Sequence, residues 1–212
     1  MLRFSAYIFL LISATVSRAE LVIEITRGAD DALPIAVMPF SGTQAADNLG
    51  TIIKADLERS GKFRALSDSQ LTVSGTPVDY ARWQGSGTNH LVTGSSTPTA
   101  DGRFEIRYEL FSLDRKIRLL GEALTVPASQ WRDAAHFSAD KIFEAITGAR
   151  GVFSTKIIYV NQSPHNGKFR YRLELADADG HRPLSILDSP EPILSPGWSP
   201  DGRMVTYVSF ES

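Results

Sequence analysis

Apolar positions recur along this chain with two different periods, and the change from one to the other divides it. The first apolar run, Phe4 to Val16, is uncharged, follows Met1-Leu2-Arg3 and precedes Ser17-Arg18-Ala19. A basic start, a short apolar stretch and small residues three and one positions before a cut form the layout of a secretory signal peptide. The reading predicts residues 1–19 as signal peptide, cleaved between Ala19 and Glu20. A membrane-spanning helix needs ~20 apolar residues, more than this run supplies.

Residues 20 to about 150 mix both periods. Leu21-Val22-Ile23-Glu24-Ile25-Thr26 is short, β-branched and apolar, the pattern of a strand, and Arg27-Gly28 breaks it. Pro34 to Phe40 is a continuous apolar run, expected of a strand buried on both faces. Leu49, Ile52, Ile53 and Leu57 recur at helical spacing, with Asp47 as a candidate cap and Gly61 at the end. A second, weaker helical signal covers Val78–Trp83. A meander follows. Asp101-Gly102 predicts a two-residue type I′ hairpin, and Phe104, Ile106, Tyr108 and Leu110 alternate with Glu105, Arg107 and Glu109. After a turn at Asp114-Arg115-Lys116, Ile117–Val126 returns as a strand. Ser129 is a candidate cap for a helix whose stripe is Trp131, Ala135, Ile142 and Ile146, ending at Gly148. A mixed sheet with two to three helices accounts for this region, an α+β class.

Beyond Val152 the helical period disappears. Short extended pieces at Lys156–Val160, Tyr171–Leu175, Pro183–Leu187 and Met204–Ser209 alternate with turn clusters, Asn166-Gly167 and Asp179-Gly180 among them. Trp198-Ser199-Pro200-Asp201-Gly202 supplies a rigid approach, a tight turn and a large flat side chain. This reads as one blade and the start of a second in an all-β propeller. A closed propeller needs at least four blades of ~40–45 residues, so the chain is expected to be the N-terminal part of a longer protein. The expected organisation is signal peptide 1–19, an N-terminal segment or strand 20–33, an α/β domain 34–150, and propeller from 151 to 212.

Composition narrows the chemistry. The 212 residues carry 22 Lys and Arg, 24 Asp and Glu and no Cys, for a formal net charge of −2. That excludes a thiol nucleophile and cysteine-ligated metal, and gives no basic footprint for nucleic acid. Cleavage after Ala19 removes Arg3 and Arg18 and leaves a mature charge of −4. His90, His136, His165 and His181 are scattered, without an HExxH spacing, and read as surface or core residues. Gly94-Ser95-Ser96-Thr97-Pro98 lacks the last glycine of a nucleophile elbow, and Asp177 and Asp179 form only part of a calcium loop. Glu105 and Glu109 carry no mark of an acid/base pair. The expectation is a non-enzyme with no catalytic residues, no metal and no cofactor.

Several segments together resemble the TolB family of the Tol-Pal cell-envelope system. They are Leu21–Ile25, Pro34-Ile35-Ala36-Val37-Met38-Pro39-Phe40, Asp56–Phe63, Phe143–Gly148, Gly151–Val160 and Leu194–Gly202. The resemblance implies a periplasmic protein of a Gram-negative bacterium, with an N-terminal α/β domain and a six-bladed propeller. It implies protein partners: the inner-membrane-anchored TolA, bound by the N-terminal segment, and the peptidoglycan-associated lipoprotein Pal, bound mostly by later blades. It further implies a role in outer-membrane integrity and constriction at cell division. Glu20, Leu21, Val22, Ile23, Glu24, Ile25 and Thr26 are the expected partner-binding residues, since an extended apolar strand suits a partner that accepts an added strand. A plain edge strand is the other reading of the same residues. Two other readings of the whole stay open. One is the N-terminal part of a propeller-gated secreted serine peptidase. The other is a periplasmic module that binds a ligand at the propeller mouth.

Overall fold

The computed structural model describes residues 32–71 and 77–211. The expected signal peptide, its Ala19–Glu20 cleavage point and the segment Glu20–Thr26 lie outside the described residues.

The first region is a mixed sheet with two helices on one face. Strand β1 (Leu33–Val37) sits between β3 (Phe63–Ala65) and β4 (His90–Pro98), parallel to both. The antiparallel meander β4, β5 (Phe104–Ser112) and β6 (Ile117–Val126) completes the order β3-β1-β4-β5-β6. The apolar run Pro34–Phe40 does not make one strand. Pro39 lacks a donor, so pairing stops at Val37 and resumes beside β4 as β2 (Ser41–Gly42). Gly94 leaves room for the Phe40 ring, which occupies the place a side chain would take on β4.

Helix α1 (Leu49–Arg59) starts one residue later than the sequence pattern indicates. Asn48, not Asp47, is its cap: the Asn48 Oδ1 accepts from Gly50 N at 2.9 Å, and the same amide pairs with both backbone groups of Phe40. Helix α2 (Trp131–Thr147) has no side-chain cap from Ser129, because Ala128–Gln130 already form a 3₁₀ turn that leads into it. It ends at Gly148, whose φ of +74° closes the helix in the left-handed region. Val78–Trp83 shortens to a 3₁₀ turn at Tyr80–Trp83. Six residues give too few hydrogen bonds to hold an α-helix by themselves.

The helices cover one sheet face, and a smaller cluster covers the other only around Trp83, leaving its β4–β6 part open. Ile35, Val37, Ile106, Tyr108 and Leu110 pack against Ile53, Leu57, Trp131 and Ile142 of the helices. Ala36, Leu66, Leu91 and Leu113 pack around Trp83 on the other face. Trp131 is fully buried, meets Phe104 edge-on at 5.3 Å and donates its indole N–H to Asp47 O at 2.8 Å. Burial and Glu122, which accepts from the Tyr108 hydroxyl at 2.6 Å, push that phenol above its ordinary range. Among the described residues no helix is long and apolar enough to cross a membrane.

The second region is all-β. Strands β7 (Lys156–His165), β8 (Lys168–Asp177) and β9 (Leu184–Ser189) form an antiparallel sheet, and β10 (Ile193–Trp198) pairs with β11 (Val205–Ser209). Strand β10 contains Ser195 and Pro196, which a register shift between Leu194 and Gly197 absorbs. The chain enters this region through Phe153, which continues an edge-to-face series from Phe63 through Phe143 at 5.8 and 5.6 Å.

Candidate functional site

The groups that concentrate chemistry lie at the seam between the two regions. The turn after β8, Asp177-Ala178-Asp179-Gly180, closes with Gly180 N donating to Asp177 O at 2.8 Å, and Ala178 N ties it to Thr155 O. This turn presents two buried carboxylates to α2 and, beyond it, to Asp56 of α1. Arg132 of α2 donates to Asp179 Oδ2 and lies 3.6 Å from Asp47. Arg182 holds Asp177 through Nε at 2.8 Å and Nη2 at 3.0 Å, and reaches Asp133 of α2 at 2.5 Å. Lys156 at the start of β7 adds a contact of 2.5 Å to Asp177. His136 of α2 and Asp56 of α1 lie at the bottom, 2 % and 0 % exposed, with Nδ1 and Oδ2 2.6 Å apart. Arg59 pairs with the other oxygen of Asp56 at 2.8 Å.

The electrostatics of the seam follow from these contacts. Burial pushes the Asp177 carboxyl upward, but hydrogen bonds from Arg182 and Lys156 outweigh it and the group titrates below the usual carboxylate range. Asp179 behaves alike: burial opposes, and the His181 backbone N–H with the charge of Arg132 prevails. The Arg182 hydrogen bond is the main cause that lowers Asp133. Arg182, raised by Asp133 and Asp177, stays charged. Charged pairs of this kind stabilise only where each carboxylate keeps its partner, because an orphaned buried charge is costly.

The other sequence candidates do not converge. Glu105 is taken by Arg107 and Glu109 by Arg118 on the open sheet face, beside a groove of about 790 Å³. His90 is held below its ordinary range mainly by burial. His165 flanks the β7–β8 hairpin, and His181 is exposed. Ser95 and Ser96 lie within β4. Trp198 ends β10 and is 39 % exposed, and Ser199–Gly202 form the turn into β11, with Gly202 N donating to Ser199 O at 2.9 Å. Asp177 and Asp179 do not cradle a cation as part of a calcium loop: arginine and lysine side chains occupy their oxygens. Sequence reasoning missed the seam. The available signal was a polar residue on an apolar stripe, Asp56 beside Ile52, Ile53 and Leu57, and His136 between Ala135 and Ala139.

Comparisons with known proteins fall on both regions. The family model for the TolB amino-terminal domain matches residues 21–119, and that for the TolB beta propeller domain matches residues 143–212. The Tol-Pal system protein TolB of Alcanivorax borkumensis is 45% identical over 199 residues, 92% of this chain and 46% of that protein. That of Thioalkalivibrio sulfidiphilus is 40% identical over 203 residues, 92% and 47% of the two chains. The crystal structure of TolB from Acinetobacter baumannii superposes with a TM-score of 0.79 at 40% identity, covering 87% of this chain and 45% of that one. The chain thus spans about half the length of the curated relatives it matches. With the α+β region and the opening strands of a propeller in the same order as in these relatives, the chain belongs to the TolB family.

Proposed function

We propose that this chain serves the Tol-Pal system as a non-catalytic periplasmic scaffold. It links the inner-membrane-anchored TolA to the lipoprotein Pal and thereby supports outer-membrane integrity and constriction at cell division. The observation that carries this reading is the ordered pair of TolB domain matches, amino-terminal then propeller, behind a leader of secretory type. The seam side chains support the non-catalytic part. Its acids are engaged by arginine and lysine, which leaves no carboxylate free to act as a base.

In this reading Glu20–Thr26 bind TolA by adding a strand, and later blades carry the Pal contacts. Residues 151–212 then form the first blade and the start of the second. A deletion of residues 20–31 tests the assignment by calorimetry against purified TolA. Binding is expected to vanish while the far-ultraviolet spectrum and unfolding midpoint stay as in the undeleted chain. Undiminished binding by the deleted chain refutes the role of this segment.

A further inference from the structure

We propose that His136 is a protonation-dependent strut that fastens the first blade to the α/β domain, bonded to Asp56 on one side and facing Asp177 and Asp179 on the other. The inference stands apart from the partner assignment above.

The argument begins with donor counting. A carboxylate only accepts, so the 2.6 Å contact between His136 Nδ1 and Asp56 Oδ2 places a proton on Nδ1. A neutral imidazole has no second N–H. Its Nε2 would then present a lone pair to Asp179 Oδ2 at 3.7 Å and Asp177 Oδ2 at 3.9 Å. This Nε2 is buried and has no hydrogen-bond partner. Acceptor facing acceptor is repulsive, and a second proton turns both contacts attractive.

Charge counting agrees. The groups around the ring come from each element packed there: Asp47 ahead of α1, Asp56 and Arg59 on α1, Arg132 and Asp133 on α2, Lys156 on β7, and Asp177, Asp179, His181 and Arg182 after β8. Five carboxylates meet four fixed cations, and an imidazolium at His136 closes the difference. His181 stands at the outer edge, 61% exposed, where water screens it. Asp56, His136 and Asp179 also bring donor atoms within 4.8 Å of one another, a spacing that could hold a metal ion. A metal is the poorer occupant. Arg59, Arg132, Arg182 and Lys156 already occupy oxygens of the three aspartates that face the ring, and an ion would have to displace them. A proton displaces nothing.

Removing that proton weakens the buried contact that runs from α1 through α2 to the blade turn, so the seam loosens at higher pH. Two measurements on the whole chain test this. Nitrogen-15 spectra of the His136 ring, taken at about pH 6 and at about pH 8.5, should show protons on both nitrogens at the lower pH and on Nδ1 alone at the higher. Hydrogen exchange, corrected for intrinsic rates, should show amides of residues 177–182 opening roughly tenfold more at the higher pH. In His136→Asn the opening should sit at the high-pH level throughout. A ring in one state at both pH values overturns the proposal, as does pH-independent opening in the parent chain. Saturable zinc binding that His136→Asn abolishes also overturns it, in favour of a metal site. If the variant does not fold, the ring spectra and the parent's exchange decide alone.

Discussion

Gly151 owes its place to Asp140. A side-chain carbon at 151 would come within 2.5 Å of the Asp140 Cα, a separation real contacts do not reach. The close approach has a purpose: Asp140 accepts Phe153 N at 2.6 Å, Ser154 N at 3.1 Å and the Ser154 hydroxyl. One carboxylate therefore organises the connection from α2 into the blade. Gly151→Ala should push the backbone off α2 and cost about 1–3 kcal/mol, the range for forcing extra volume into packed structure. Urea unfolding of the two chains measures it; equal midpoints would show that the connection yields without penalty.

At the scale of elements, much of the α/β region is legible because its residues announce their environment locally. Phe104, Ile106, Tyr108 and Leu110 alternate as a strand with one buried face, and all but Phe104 are fully buried. Turn chemistry separates by backbone angle. Asn166 and Gly167 both take positive φ and make the tight β7–β8 hairpin, as an Asn-Gly pair should. Asp101-Gly102 looks equivalent, yet only Gly102 takes positive φ, so the β4–β5 turn is longer and closes from Thr99 to Arg103. The seam could not be read in this way. Asp56, His136 and Asp179 are far apart in sequence, and ion pairs across such distances leave no periodic trace. Yet the seam has a definite acid response. Asp133, Asp177 and Asp179 titrate below their ordinary values in the folded chain. Their contribution is whole above the unfolded carboxylate value of about 3.9 and is lost as pH falls through the lowered native values. Asp179→Asn should unfold more easily at neutral pH and lose less on acidification than the parent. Parallel loss in both chains would place the acid response elsewhere.

Across the whole molecule the two regions meet water differently. The α/β sheet packs one face on its helices and part of the other around Trp83, while the blade strands carry Phe169, Leu184 and Ile186 exposed, and the β10–β11 hairpin carries Leu194, Tyr207, Val208 and Phe210 exposed. Strands β9, β10 and β11 are short and each has an edge that pairs with no other strand among the described residues, and apolar side chains on such edges favour association. The 212-residue chain should therefore self-associate as its concentration rises, through the hairpin and not through the α/β sheet. Val208→Lys with Phe210→Lys tests this directly. Both positions are exposed, so the double substitution should change folding stability by less than about 1 kcal/mol. It should also keep the variant monomeric in sedimentation runs at concentrations where the parent chain forms larger species. A parent chain that stays monomeric, or a variant that associates equally, would remove the hairpin as the cause. A groove-lining change such as Arg118→Ala should leave association as it was, since that groove lies on the open sheet face of the other region.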